Sequence, residues 1–205
     1  MGHSKAEKER SRERILAAAA TQIREAGIDG ISVGTLMKSV NLTHGGFYGH
    51  FESRDALIAA ALKQALADGE KASAIHTGAR GNVTVKSIVN SYLSPAHRDH
   101  PGTGCAIPTL AAEVSRAAPE VRTIMADQLS HSFNMISEAL GEAADNEQFA
   151  VSAWSMMIGA MIISRVLADD PRADQVLASA RKSILQLEAL HTASKPQIVG
   201  TSHEI

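Results

Sequence analysis

The side chains of this sequence with the most reactive chemistry are a single cysteine and two histidines just before it. Cys105 follows Gly104 at the start of a predicted helix, where the helix dipole lowers the pKa of a thiol. His97 and His100 are separated by two residues, a spacing that some metal-binding pairs share. Cys105 is therefore a candidate sensor of oxidants or electrophiles, although the commoner role of such a cysteine is a small buried residue beside a glycine.

No other arrangement of residues predicts catalysis. Glu113 with His97 or His100 is the only acid–histidine set worth naming, and nothing in the sequence fixes its geometry. No Ser-His-Asp order, carboxylate pair or phosphate-binding loop stands out, and two histidines in a polar loop are usually only polar residues. His131 suits either a hydrogen-bonding position in a pocket or the surface. We therefore predict no catalytic residues, no cofactor and no metal site, and keep a helical enzyme or metal-binding module as the lesser alternative.

A short run at residues 41–51, NLTHGGFYGHF, combines three glycines with three aromatic residues. Each glycine inside a helix costs roughly 0.5–1 kcal/mol relative to alanine, so a helix here requires a reason. Either the run is a loop, or it is a helix whose backbone something bulky must approach closely.

Helical periodicity and capping residues place these groups on an all-α chain. Ser32, Thr43 and Ser53 are good N-caps, and Gly27 is a good C-terminal stop. Asn41 tolerates the left-handed conformation of a tight turn. The sequence predicts a loop over residues 94–104 and about nine helices. These helices span about residues 7–26, 33–40, 43–51, 53–75, 84–93, 105–117, 119–141, 146–168 and 172–190.

The overall composition excludes several classes of protein. The 205 residues suffice for one sizeable core, or for a small domain joined to a larger one. One cysteine excludes an internal disulfide framework, and the charged N-terminus lacks the apolar region of a secretory signal. The longest apolar run, residues 154–163, is shorter than the roughly 20 residues of a membrane span. We therefore expect a cytoplasmic protein without a membrane segment.

Charge is distributed unevenly along the chain, although the formal net charge is only −2. Residues 1–54 carry 8 Lys and Arg against 6 Asp and Glu, whereas residues 55–205 carry 12 against 16. A basic arm on an otherwise acidic chain indicates an anionic partner at that end, and the alternative is a solvated helix start.

The two short helices around residue 41 match a helix-turn-helix, because a tight turn joins them and Thr43 caps the second. The second helix of this motif enters the major groove of DNA, which is about 12 Å wide. Bare positions at Gly45 and Gly46 would let the backbone approach bases and phosphates, while Phe47 and Phe51 anchor the segment in the core. DNA binding would thus explain why a helical segment contains these glycines.

The segment ILAAAATQIREAGIDGISVGTLMKSVNLTHGGFYGHFESRDALI, which begins at Ile15, resembles the N-terminal domain of the TetR family of bacterial transcription regulators. The resemblance is close over residues 10–60 and is carried by the caps and by a GxxYxHF recognition helix. The rest of the chain resembles the family in helix count and length, and in a GCAxPxLAAE stretch found in one branch. Two departures are His44, where the family often has lysine, and Asn41, where it often has glycine.

The resemblance implies which residues contact DNA. Backbone phosphates would be contacted by Ser32, Thr43, Tyr48, His50 and Arg54. Bases would be read at His44, Gly45 and Gly46. Because His44 replaces a lysine, we expect operator affinity to depend on pH more than is usual in the family.

The resemblance also implies the domain plan: a DNA-binding domain at residues 1–52, an effector-binding and dimerisation domain at residues 53–192, and a disordered tail at residues 193–205. The homodimer would form through residues 146–168 and 172–190, where small residues among Met and Ile allow close helix packing. A small, mostly apolar effector is expected in a pocket lined by Tyr92, Cys105, Ile107, Leu110, Met125, Leu129, Phe133 and Trp154.

The predicted function is therefore a regulator of transcription, in the form of a repressor that leaves double-stranded operator DNA when its effector binds. A redox or electrophile sensor acting through Cys105 is the main alternative. The operator sequence, the effector, the regulated genes and the direction of regulation stay open.

Overall fold

The computed structural model describes residues 5–77, 83–141 and 146–193, and every regular element in these ranges is a helix. The all-α prediction is therefore confirmed. The described residues form nine α-helices and one short 3₁₀ helix, where the sequence predicted about nine helices in all. The α-helices are α1 (Lys5–Ala26), α2 (Val33–Ser39), α3 (Arg54–Thr77), α4 (Val85–Tyr92), α5 (Pro95–Asp99), α6 (Ile107–Val114), α7 (Pro119–Ala139), α8 (Asn146–Leu167) and α9 (Arg172–Ala193).

The turns of the N-terminal part follow the predicted chemistry. Gly27 ends α1 with φ +78°, a left-handed conformation that favours glycine. Asn41 adopts φ 59° in the turn after α2, so asparagine supplies the left-handed residue here as predicted. Ser53 caps α3, because its Oγ accepts a hydrogen bond from the Ala56 N–H at 3.0 Å.

The glycine-rich run forms a 3₁₀ helix at His44–Gly49 instead of the predicted α-helix. Thr43 is its N-cap, and the Thr43 Oγ1 accepts from the Gly46 N–H at 3.3 Å. Three of the six residues are glycines, which lose the most conformational freedom in a helix. A short 3₁₀ turn held between a cap and the start of α3 is a conformation that such a segment can adopt.

The prediction of a loop over residues 94–104 is wrong in part, since α5 lies inside it. Ser94 caps this five-residue helix through a 3.2 Å bond from the His97 N–H, and Pro95 occupies its first position. Pro108 likewise lies in the first turn of α6.

One hydrophobic core runs through both halves of the described chain. In the N-terminal half, α1 packs on α3, with Ile15, Ile23 and Leu57 fully buried. In the C-terminal half, α8 packs between α7 and α9. Among the described residues, α8 alone is long and apolar enough to match a membrane span, yet nine of its residues are buried in this core. We therefore assign it as a core helix.

Two boundaries of the predicted domain plan lie next to helix ends. The proposed division after residue 52 lies just before α3, which packs on both α1 and α7. The predicted tail begins at residue 193, where α9 ends, and residues 194–205 lie outside the described residues.

Candidate nucleic-acid interface and internal cavity

The aromatic residues of the segment at residues 43–51 divide between the core and the surface. Phe47 and Phe51 are buried, and their rings stack with centroids 5.7 Å apart. Tyr48 is 69% exposed, and its ring meets the edge of Phe47 at 5.2 Å. The two phenylalanines thus anchor the segment, while the Tyr48 hydroxyl is available on its outer side.

The glycines of this segment leave an open face that the protomer does not fill. A Cβ atom added at Gly45 or Gly49 would meet no heavy atom within 4 Å. One added at Gly46 would make only ordinary contacts, 3.5 Å from Thr43 Oγ1 and 3.8 Å from Met37 Cε. None of the three has a positive φ. Neither internal packing nor backbone conformation therefore requires glycine at these positions.

Basic side chains of α1 lie beside this open face. The Arg12 guanidinium lies over the Phe51 ring, 5.1 Å from its centroid. His50 is half-buried, and its Nδ1 is buried without a hydrogen-bond partner among the described residues. Burial, together with the positive charges of Lys8 and Arg12, lowers the pKa of His50. Lys8 and Arg12 were not among the predicted site residues, although the basic arm was the signal that pointed to them.

The remaining residues predicted to contact DNA differ in exposure and in the hydrogen bonds they make within the protein. Ser32 and His44 are exposed, and Ser32 makes no side-chain capping bond to α2. Arg54 is half-buried and donates hydrogen bonds to two carbonyls, Ile28 O at 2.7 Å and Ile31 O at 3.4 Å. The Arg54 guanidinium thus holds the loop between α1 and α2, and its contact with phosphate stays a prediction.

A cavity of about 1210 Å³ lies among α3, α4, α6, α7 and α8. Among the residues predicted to line a pocket, Tyr92, Cys105, Ile107 and Trp154 line this cavity. The other four, by contrast, lie in or against the hydrophobic core and outside the cavity wall: Leu110, Met125, Leu129 and Phe133.

The cavity wall is mostly apolar, but it also carries many polar groups. Hydroxyls, amides, histidines and carboxylates contribute to it: Glu70, Ser87, Asn90, Ser91, His97, His100, Gln128, His131, Ser132 and Glu138. Glu70 Oε1 accepts a bond from Gln128 Nε2 at 2.8 Å and lies 3.4 Å from His131 Nε2. Both Glu70 and His131 are exposed, so this group forms the solvent-facing rim of the cavity.

Cys105 is held in a setting that disfavours a thiolate. Its backbone N–H donates to His97 Nε2 at 3.1 Å, and α6 begins two residues later, at Ile107. Burial raises the pKa of the Cys105 thiol, and the N–H of Ile107 and the nearby Tyr92 hydroxyl offset this only in part. The N–H at the start of α6 does lower the pKa of the thiol, but burial outweighs it, so the predicted net lowering is wrong.

The two histidines whose spacing resembles that of a metal-binding pair contact backbone carbonyls. His97 Nδ1 lies 2.8 Å from Tyr92 O, and His100 Nδ1 lies 3.0 Å from Ala96 O. Because Cys105 N–H can only donate to His97 Nε2, the proton of His97 sits on Nδ1. Across the described ranges, no group of three or more His, Cys, Asp or Glu residues is placed to hold a metal ion.

Two polar ties join the N-terminal helices to the cavity wall. A carboxylate oxygen of Glu113, on α6, accepts a hydrogen bond from Ile28 N–H at 2.5 Å, just after Gly27 ends α1. A Cβ at Gly27 would overlap this carboxylate. The buried Arg24 donates to Gly102 O at 2.5 Å, next to the cavity-lining Thr103. The end of α1 is therefore coupled to α6 and to the loop before it.

An exposed apolar stripe follows α8 and α9. Six of the eight large hydrophobic residues that are markedly exposed in the described chain lie on these two helices. Those on α8 are spaced so that they share one face with Gly159, whose Cβ position is also open. The stripe consists of Val151, Ile162, Ile163, Val166, Leu187 and Leu190.

Comparisons with known proteins bear on both halves of the chain. The family model described as bacterial regulatory proteins, tetR family, matches residues 15–61. The model of the tetracyclin repressor-like C-terminal domain matches residues 81–180. A search of curated proteins gives no match.

Several solved structures share this fold. A TetR transcriptional regulator from Chloroflexus aurantiacus is 21% identical, with a TM-score of 0.75 over 88% of this chain and 97% of that one. A TetR-family regulator from Cytophaga hutchinsonii is 22% identical, with a TM-score of 0.72 over 91% of this chain and 98% of that one. The reduced form of E. coli NemR is 21% identical, with a TM-score of 0.70 over 86% of this chain and 96% of that one. At this level of identity the likeness concerns the fold.

Proposed function

Because the chain belongs to the TetR family of bacterial regulatory proteins, and is therefore a DNA-binding transcription regulator and not an enzyme, we propose that it is a repressor released by a small molecule. A cytoplasmic homodimer binds a double-stranded operator, and an effector in the cavity weakens that binding. The observation that carries the DNA-binding part is the open face at Gly45 and Gly49, which nothing in the protomer occupies.

On this proposal the open face meets base edges in the major groove. His44, Gly45 and Gly46 come closest to the bases, while Ser32, Thr43 and the exposed Tyr48 hydroxyl contact phosphates. Further contacts with the DNA backbone come from residues that lie beside one another at this face. Lys8 and Arg12 add positive charge, and His50 adds a hydrogen-bond donor. Arg54 contributes mainly by holding the loop between α1 and α2 in place.

The homodimer is proposed to form through the apolar stripe of α8 and α9. An exposed row of Ile and Val on the most apolar helix favours burial against a second copy, because a two-fold axis pairs the same surface with itself. Such an axis also places two helix-turn-helix units about 34–36 Å apart, one turn of DNA.

Release is proposed to work through the ties at the end of α1. A ligand that moves α6 or the loop before it shifts Glu113 and Gly102, and with them the anchored end of α1. Small displacements of α1 change the separation of the two recognition segments in the dimer. DNA and effector then weaken each other's binding by linkage.

Binding of the purified protein to DNA upstream of its own gene tests the proposal, measured by fluorescence anisotropy. We expect specific binding that Tyr48→Ala abolishes, while Ser130→Ala, an exposed site on α7, leaves it intact. A protein that binds no native promoter sequence would overturn the proposal.

Sensing through Cys105 is the alternative, and one structural neighbour, NemR, has a structure of its reduced form. The raised pKa of the Cys105 thiol argues against it in this chain, since the thiolate is the reactive species. We expect a Cys105→Ser variant to be released from DNA by the effector as the wild type is. A variant that no longer responds would favour the sensor.

A further inference from the structure

Two buried hydrogen-bond donors in the cavity lack a full partner. The buried Trp154 indole N–H bonds to no group among the described residues. The buried Tyr92 hydroxyl meets only the thiol of Cys105, a weak hydrogen-bonding group. Tyr92 is 8% exposed and Trp154 is 4% exposed, and both line the cavity. Buried polar groups are nearly always paired, so these two donors on one cavity wall suit a bound acceptor.

The rings that carry the two donors lie close together. The Tyr92 and Trp154 rings are 5.0 Å apart between centroids. His97 fixes the Tyr92 end of this wall, because its ring packs against the Tyr92 ring at 4.6 Å and its Nδ1 bonds Tyr92 O. An indole N–H can only donate, so the atom that satisfies Trp154 must be an acceptor. Burial raises the pKa of Tyr92 well above its ordinary value, so its hydroxyl keeps its proton and can donate as well.

A positive charge without a carboxylate partner lies near Tyr92, outside the cavity wall itself. The half-buried guanidinium of Arg165 bonds three neutral oxygens, Arg98 O, Thr109 Oγ1 and His97 O. The other cation nearby, Arg98, pairs with Asp99 and Asp174. For Arg165, by contrast, no acidic group of the described chain lies within ion-pair distance. A half-buried cation of this kind favours an anion in the adjacent space.

The rest of the wall limits what the anion can carry. Leu66, Ile107 and Met135 provide apolar surface along the cavity. Glu70 and Glu138 lie at exposed positions of the wall, where they disfavour a second negative charge on a ligand. The charged end of a ligand therefore belongs inside, at Tyr92 and Trp154, and its apolar body extends towards the rim.

We propose that the effector is an organic monocarboxylate with an apolar body, and that its carboxylate accepts hydrogen bonds from Tyr92 Oη and Trp154 Nε1 within the field of Arg165. This inference rests on the proposed function, because it names the ligand class of the same cavity. It revises the predicted apolar effector to one with an acidic head.

Direct binding to the purified protein tests the acid head without DNA. Trp154 is the only tryptophan of the chain, so its fluorescence reports on this position alone. The probes are two sets that share a body and differ in the head: decanoate, decanamide and decanol, and phenylacetate, phenylacetamide and phenethyl alcohol. We expect at least one acid to bind about tenfold or more tighter than its alcohol, because a charged acceptor makes the stronger hydrogen bonds. Equal binding of acid and alcohol in both sets, or no binding by either acid, would overturn the proposal.

Variants separate the donors from the charge. Tyr92→Phe removes one donor and keeps the ring, so we expect affinity for the acid to fall about tenfold. Arg165→Gln should bring acid and alcohol close to equal affinity, while Arg165→Lys, which keeps the charge, preserves the preference. Ser130→Ala, outside the cavity wall, should change neither. Calorimetry and circular dichroism on each variant show that it is folded, and an unchanged acid preference in folded Arg165→Gln contradicts the role of the charge.

The outcomes for this ligand class and for the proposed function are distinguishable. A carboxylate that binds at Trp154 but leaves operator affinity unchanged supports the ligand class and contradicts release. If a neutral molecule releases the operator and neither acid changes the fluorescence of Trp154, the result supports release and contradicts the carboxylate ligand class.

Discussion

At the scale of single residues, the glycines of the segment at residues 43–51 carry the functional argument. A glycine is usually explained by a positive φ or by a neighbour that a side chain would strike. Gly27 has both explanations, since its φ is +78° and a Cβ there would overlap Glu113. Gly45 and Gly49 have neither. A residue type that the folded chain does not need is best explained by a partner that does.

This contrast predicts opposite effects of two kinds of substitution. We expect Gly49→Leu and Gly45→Leu to leave thermal stability unchanged or higher, because space is open and glycine is a poor helix residue. Operator affinity should fall at least tenfold, because the side chain then occupies the space meant for DNA. Thermal melting and anisotropy on the same samples measure both.

The matched control is Gly27→Ala, which should lower stability by about 1 kcal/mol or more, because alanine is strained at positive φ. Normal operator binding by the leucine variants would show that the glycine face is not part of the DNA interface.

His50 predicts a pH dependence of operator affinity. Burial, Lys8 and Arg12 lower its pKa in the free protein, so it is neutral at neutral pH. A phosphate next to it would favour the protonated form, so the complex binds more protons than the free protein and affinity rises as pH falls from 8 to 6. Titrations at the two pH values measure the change.

Two variants assign that dependence. His50→Gln should flatten it, and His44→Gln tests the expectation that a histidine at position 44 adds to it. Equal operator affinity of the wild type at pH 6 and pH 8 would exclude both histidines. The stability of the free protein should change in the opposite direction to operator affinity. It is highest above pH 6.5 and falls as the pH drops from there towards the lowered pKa of His50, because His50 binds a proton more readily in the unfolded chain.

At the scale of elements, local signals were sufficient for the helices but not for the cavity. Thr43, Ser53, Gly27 and Asn41 act through neighbours in sequence, so their caps and turns could be predicted. The Ser94–Pro95 start of α5 was an equally local signal that the loop prediction overlooked. The 3₁₀ segment has only six residues, three of them glycine, which is too short for hydrophobic periodicity to separate it from an α-helix.

The cavity residues of α7 show why the effector site could not be predicted in the same way. Met125, Leu129 and Phe133 form the apolar face of this helix, and the prediction placed them in the pocket. The cavity instead meets a face rotated by roughly a third of a turn, which carries Gln128 and Met135. Helix periodicity identifies the apolar face, but only the packing of α7 on α3 and α8 decides which face borders an empty space.

The tie between α6 and α1 gives a prediction about coupling. Glu113→Ala leaves the Ile28 N–H without its acceptor and disconnects α6 from the end of α1. We expect a ligand to bind the cavity as before, by Trp154 fluorescence, while its effect on operator affinity falls severalfold, because the tie carries part of a coupling that is typically about 1–3 kcal/mol. Glu120→Ala, an exposed carboxylate at the start of α7, is the control. Full release in the Glu113 variant would exclude this route.

At the scale of the whole molecule, the proposed homodimer depends on the apolar stripe of α8 and α9. The most exposed residues of the stripe are Val166 at 79% and Leu190 at 66%. Ile163 lies between Ile162 and Val166 in the α8 part of the stripe and is 52% exposed. A charge there is tolerated by a monomer, since the side chain faces outward, but it must be desolvated in a dimer.

We therefore expect Ile163→Asp to behave as a folded monomer near the chain mass of 21.7 kDa, whereas the wild type elutes at twice that mass. Operator affinity should fall by a hundredfold or more, because each half-site is then bound alone, while ligand binding at Trp154 persists within the protomer. Size-exclusion chromatography with light scattering measures the mass, and anisotropy measures the affinity. Ala126→Asp places the same charge on an exposed position of α7, away from the stripe, and should change neither. If the Ile163→Asp protein remains a dimer, the dimer interface lies outside the stripe. If it is a monomer that keeps full operator affinity, the two helix-turn-helix units act independently.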